Sequence, residues 1–172
     1  MRKTNTSPYL LPGIALLTIA TLLAISSRPV QAAGDPIVVI VNQANPIDNL
    51  SMNELKKLFL SDRSKWDTGK SVAPVMVSAG PPERSAFLRI VCGMNDASFA
   101  KYFLQAAFNG KSATPPKEVS SSQAVKIVVT TSPGAIGFVK AADFHGDGSD
   151  GGVKSVKVDG LAAADENYKL RM

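Results

Sequence analysis

The chain has 172 residues, of which 45% are hydrophobic and 19% charged. That balance excludes a disordered or fibrous polymer, and the length favours one domain. The formal charge of +5 comes without a dense Lys/Arg run or basic–aromatic interleaving, which argues against nucleic-acid binding.

The N-terminus has the layout of a secretory leader. Arg2 and Lys3 precede an apolar run, IALLTIATLLAI (14–25), and the small-residue site VQAAGD follows, with Val30 and Ala32 suiting the positions before a cut. We therefore expect a signal peptide over 1–32 and a single domain over 33–172; whether Ala32 or Ala33 ends the leader stays open. The alternative, an uncleaved anchor, has a run of only 12 residues against the roughly 20 that a span needs. Removing Arg2, Lys3 and Arg28 leaves 16 of the 19 basic residues against 14 acidic ones, a formal charge near +2. Most of the basicity is thus targeting, and the expected location is the periplasm or the exterior. Cys92 is the only cysteine, so neither a disulfide framework nor a lipid-anchor cysteine at the leader's end is available. It lies in the apolar stretch FLRIVCGM and reads as a buried small hydrophobe.

PIVVIVN (36–42) is a continuous β-branched run that suits a strand buried on both faces. In NLSMNELKKLFLSD, Ser51 and Glu54 form a capping box, and Leu50 and Leu55 can make a hydrophobic staple. Leu55, Leu58 and Phe59 share one helical face, opposite Lys56 and Lys57. The polar segment SDRSKWDTGK is a loop whose Trp66 is expected to plug the edge of a core. VAPVMV (72–77) reads as a strand. A turn at Gly80 and a helix over ERSAFLRIVCG follow, with Phe87, Leu88 and Val91 on one side. Asn95 or Asp96 can cap the next helix, ASFAKYFLQAAF, whose apolar positions are Phe99, Tyr102, Phe103, Ala106 and Ala107.

NGKSATPPKEV is a break. In SSSQAVKIVVTTSPG, Ser120 with Gln123 suggests a capped helix with Ala124, Val125, Ile127 and Val128 inward; its β-branched content leaves a strand as the alternative. AIGFVK (135–140) is a compact strand, FHGDGSDGG (144–152) a flexible loop, and VKSVKVDG an alternating last strand. The tail to Met172 is helical at most. Alternating strands and helices argue for a three-layer α/β domain, a sheet flanked by helices.

No H-E-x-x-H, G-x-S-x-G or P-loop pattern is present, and the only histidine, His145, lies in a glycine-rich segment far along the chain from Cys92, so an enzyme is not expected. Asp143, Asp147 and Asp150 lack the spacing of a calcium loop and read as a solvated turn; no metal or cofactor is implied. VSAGPPERSAFL (77–88) is the segment with binding potential. Strand, glycine turn and helix start together expose N–H groups that can grip an anion, with Ser78, Gly80, Arg84 and Ser85 as candidate contacts. Pro81 and Pro82 remove two donors there, and Glu83 places negative charge in the same turn.

The order Leu-Ser-x-x-Glu-Leu-x-x-Leu-Phe-Leu, a Trp-containing loop, a strand, Phe-Leu on a helix and Pro-Gly-Ala-Ile-Gly-Phe-Val (133–139) resembles the phosphate-binding proteins of ABC-type importers. It is most similar to short exported proteins carrying a substrate-binding-protein-like domain of that family. The resemblance covers roughly residues 37–139, with Phe138 where the family often has Tyr. It implies one lobe of a type II periplasmic binding protein and a role in phosphate or small-anion binding for ABC-type uptake. It also implies an ABC permease or another envelope protein as partner, with a homodimer as one way to supply a second wall. The family's Arg-x-x-x-Ser-Gly-Thr loop is altered here. Ser78 stands near the Arg position, Pro81, Pro82 and Glu83 occupy the Ser-Gly-Thr region, and Arg84 and Ser85 are the substitutes, one turn late. The other reading the departures suggest is a protein-interaction module derived from one lobe, with small-molecule binding lost.

Overall fold

A run of adjacent β-branched side chains projects to both faces of a strand, so it is stable only in the middle of a sheet covered on both sides. The computed structural model, which describes residues 34–146 and 150–172, places the first strand there. All six residues of β1 (Ile37–Asn42) are buried. The expected leader over 1–32 and Asp147 lie outside the described residues.

The remaining elements are β2 (Asn49–Leu50), α1 (Met52–Phe59), β3 (Ala73–Val77), α2 (Pro82–Phe87), α3 (Asp96–Phe108), β4 (Lys117–Val119), α4 (Ser122–Thr131), β5 (Ala135–Lys140) and β6 (Val153–Val158). They build a six-stranded sheet of order β2-β6-β1-β5-β3-β4. It is mixed: β1 runs antiparallel to both β5 and β6, whereas β3 is parallel to β5 and β4, and β2 to β6. One face carries Val39, Val41, Met76, Ile136, Phe138 and Val156 against α1, α2 and α3. The other carries Val38, Ile40, Val75, Val77 and Val139 against Val125 and Val129 of α4. The sheet is therefore sandwiched between helices, as the alternating pattern predicts. On the three-helix side Phe87 stacks on Phe138 with ring centres 3.9 Å apart, and Phe59 meets Phe87 edge-on at 4.6 Å.

The capping box forms as expected. The Ser51 N–H donates to Glu54 Oε2 at 2.8 Å, and the Glu54 N–H donates to Ser51 Oγ at 3.2 Å. Trp66 is buried, and its indole N–H donates to the Gly134 carbonyl at 2.9 Å, so it does plug the core edge.

Several expectations need correction. The helix after the glycine turn is not uniform: α2 gives way to a π-helical turn, Leu88–Cys92, that ends at left-handed Gly93. Asn95 caps α3 by accepting from the Ser98 N–H, and Ala107 is exposed rather than inward. α4 is a helix, but its cap is Ser121, which accepts from the Ala124 N–H, one residue later than expected. That register turns Val125 and Val129 into the core and leaves Ile127 exposed. The break after α3 contains the edge strand β4. The tail is not helical. It lies along β1, where the Ile37 N–H donates to the Leu170 carbonyl at 2.9 Å and the Tyr168 hydroxyl to the Ile37 carbonyl at 2.8 Å.

Candidate functional site

β3 and β5 run parallel, so their C-terminal ends share one edge of the sheet, and the 78–81 turn emerges there. Gly80 has φ +124°, a conformation that side chains rarely adopt. Pro81 caps α2 without a side-chain hydrogen bond, and Pro82 is its first residue. The four sequence-predicted contacts lie together on this turn and the start of α2, but they face different ways. The Ser78 N–H and hydroxyl both donate to the Val119 carbonyl, at 2.8 and 3.2 Å, fastening the turn to β4. Gly80 and Ser85 are exposed, and the Ser85 hydroxyl donates to Asp96 Oδ2 at 3.4 Å.

Arg84 points inward. Its side chain is 5% exposed. Nη1 donates to the Val77 carbonyl at 2.7 Å and lies 2.8 Å from Glu118 Oε1, while Nε donates to Asp96 Oδ1 at 2.5 Å. The guanidinium thus ties together the end of β3, the edge strand β4 and the first turn of α3. Glu83 is buried beside it. Lys140 Nζ is 3.4 Å from Glu83 Oε2, yet no hydrogen-bond donor is directed at that oxygen among the described residues. Two cations, Arg84 and Lys140, therefore meet three carboxylates, Glu83, Asp96 and Glu118. The balance at the turn is negative, which opposes a free anion.

Sequence reasoning missed Asp96, Glu118 and Lys140 as members of this cluster. Asp96 carried a signal, since with Asn95 capping α3 its own carboxylate is free for another partner. Glu118 carried none, because β4 is read as a break.

A second charged cluster lies beside α4. Asp150 was expected in a solvated turn, but its carboxylate is 4% exposed and 2.7 Å from Lys126 Nζ. It accepts from the backbone N–H of His145 at 2.6 Å. Burial pushes the Asp150 carboxyl up, but Lys126 and the N–H groups of His145 and Gly146 outweigh it and hold the pKa at about 2. Cys92 is buried as expected, and burial pushes its thiol up to about 11, which keeps it in the protonated form at neutral pH. No helix among the described residues is long and apolar enough to cross a membrane.

A mixed six-stranded sheet with helices on both faces matches the lobe of a periplasmic binding protein. The family model for the PBP superfamily domain covers residues 20–169, and the chain belongs to that family. Among solved structures it is similar to a Clostridium perfringens protein described as a phosphate ABC transporter substrate-binding protein, with bound phosphate. Identity is 24% and the TM-score 0.63, over 80% of this chain and 53% of that one. An ABC-type phosphate transport receptor from Vibrio cholerae matches at 20% identity and TM-score 0.60, over 76% of this chain and 49% of that one. PstS from Borrelia burgdorferi matches at 14% identity and TM-score 0.59, over 74% and 48%. The chain spans about half the length of these structures, and at such identities the likeness is one of fold.

Proposed function

We propose that the chain is an exported, non-enzymatic solute-binding-protein-like domain, residues 33–172 after cleavage of a leader over 1–32. It serves small-anion recognition of the phosphate-uptake kind in the periplasm or outside the cell. The observation that supports this is the match of this domain to about half of each phosphate-transport structure, together with the strand–glycine turn–helix loop that this chain carries. Ser78, Gly80, Arg84 and Ser85 form the proposed contact surface. A lone lobe leaves that surface open to water, where hydrogen bonds to an anion compete with solvent. An ABC permease, another envelope protein or a second copy of the chain would supply the missing wall.

One observation favours a second reading, a protein-interaction module that has lost small-molecule binding. Arg84 is already held by Asp96, Glu118 and the Val77 carbonyl, so the turn offers an incoming phosphate little free positive charge. Calorimetry of the purified protein with inorganic phosphate separates the two. Heat saturating at about micromolar ligand, and lost in Ser85→Ala and Arg84→Ala, supports anion binding. No heat at about millimolar phosphate defeats the first reading and leaves the second.

A further inference from the structure

At the other end of β3 lies a cavity of about 440 Å³ that the anion reading does not use. It is roughly 16 Å from the 78–81 turn, the length of a five-residue strand. Its floor is apolar, with Leu58, Val72, Pro74 and Pro115. Its rim carries the hydroxyls of Ser64, Ser71 and Ser112, which make no side-chain hydrogen bond among the described residues. Lys65 and Lys117 stand on the same rim, and neither has a carboxylate within ion-pair distance among the described residues. Arg63, a third basic group, is neutralised by Glu54 at 3.4 Å and Asp67 at 2.6 Å. Among the described residues no carboxylate lines the cavity.

The walls are held in place. Ser61 has a left-handed φ of 60°, a conformation glycine usually supplies, and its hydroxyl donates to the Thr114 carbonyl. That bond ties the end of α1 to the segment leading into β4. On the other side, the Val72 N–H donates to the Ser64 carbonyl at 2.9 Å, and the Arg63 Nε–H donates to the Lys65 carbonyl at 3.0 Å.

From this we infer that the cavity formed by α1, the Trp66 loop and the starts of β3 and β4 binds a sugar-sized anion, a polyhydroxylated ring bearing a phosphate or carboxylate group. Each feature matches one part of that ligand. The apolar floor receives the C–H face of a ring, the unpaired hydroxyls exchange hydrogen bonds with its hydroxyl groups, and the two unpaired ammonium groups receive the anion. The charge balance is opposite to that of the 78–81 turn, where carboxylates outnumber cations. The inference is independent of phosphate binding at that turn.

The test uses the purified protein and four probes: glucose 6-phosphate, glucuronate, glucose and inorganic phosphate. Binding is read by calorimetry and by emission of Trp66, the only tryptophan, which adjoins Lys65 in the chain. The expected result is saturation by glucose 6-phosphate and glucuronate below about 1 mM in a signal that Lys65→Ala and Lys117→Ala weaken, with glucose much weaker and any binding of inorganic phosphate at the turn unaffected by those two changes. Lys117→Ala and Lys65→Ala change exposed side chains, so the fold is kept. Each should weaken both anionic sugars about tenfold, the loss of one charge-assisted hydrogen bond. Lys101→Ala, an exposed change on α3, should change nothing here. Equal binding of glucose overturns the role of the lysines, and equal binding of inorganic phosphate that Lys65→Ala and Lys117→Ala weaken overturns the role of the floor. No saturation by glucose 6-phosphate or glucuronate at about 10 mM overturns the site itself, whereas the result with inorganic phosphate alone bears on the distant turn.

Discussion

Arg84→Met removes the guanidinium while keeping most of the buried stem, so no large cavity opens. Three interactions disappear. The Val77 carbonyl, buried, loses a charged donor at 2.7 Å, which costs about 1–3 kcal/mol. The pairs with Asp96 and Glu118 involve carboxylates that are 34% and 48% exposed, so each is worth at most about 1 kcal/mol after screening. The expected loss is about 3 kcal/mol, or a fall in Tm of roughly 10 °C for a domain of this size. Urea titration followed by emission of buried Trp66 measures it. The same titration with about 1 mM phosphate present separates clamp from ligand contact, because a bound ligand would stabilise only the parent protein. If Arg84→Met loses less than about 1 kcal/mol, the inward ion pairs are not holding the turn, and Arg84 is available to a ligand after all.

Four further outcomes follow from the packing and charge. Gly137→Ala should lose about 2 kcal/mol by overpacking, since its new Cβ would stand 2.6 Å from Val125 Cγ1 and 3.2 Å from the Val75 carbonyl. Adding Val125→Ala should recover part of that loss in the same urea titration. Because the Asp150 carboxyl titrates at about 2 when folded and near 3.8 otherwise, its stabilisation is complete above about pH 4 and lost as pH falls towards 2. Asp150→Asn should flatten that segment of a stability-versus-pH curve, and an unchanged slope would count against the Lys126 pairing. Ser51→Ala should lose about 1 kcal/mol through the broken capping box, seen as a lower urea midpoint at unchanged slope. Cys92, buried with its thiol at about 11, should resist alkylation at pH 8 in native protein and react at once in denaturant; fast native labelling would show an opening of the π-helical turn.

What the sequence reveals here depends on the range of the interaction. The Ser51–Glu54 box, the apolar face of Leu55, Leu58 and Phe59, and the glycine turn are local, and all are present in the structure. The register of α4 is not local. Three consecutive serines offer three caps, and the choice of Ser121 follows from Val125 and Val129 packing on bare Gly137, which no short window contains. The tail looks polar and aperiodic, yet Tyr168 and Leu170 are buried through bonds to Ile37, 131 residues from Tyr168. The candidate site was legible as backbone shape only. Arg84 sits in an apparently open polar turn, and its partners Asp96 and Glu118 come from a helix cap and an edge strand whose own assignments depend on the assembled fold.

The place of β1 carries a consequence for how the chain is made. Its two neighbours, β5 and β6, lie about 100 residues or more further along the sequence, and the Leu170 carbonyl that receives the Ile37 N–H lies further along still. Ile-Val-Val-Ile-Val is therefore synthesised well before the strands that shelter it. Throughout elongation it is a short, uncharged, strand-forming segment with both backbone edges bare, the kind most prone to pair with another copy. The long loops that must close before it is covered also slow the final step. A sheet built this way cannot close before β5 and β6 have been made, and its most adhesive segment then becomes the strand that is hardest to reach.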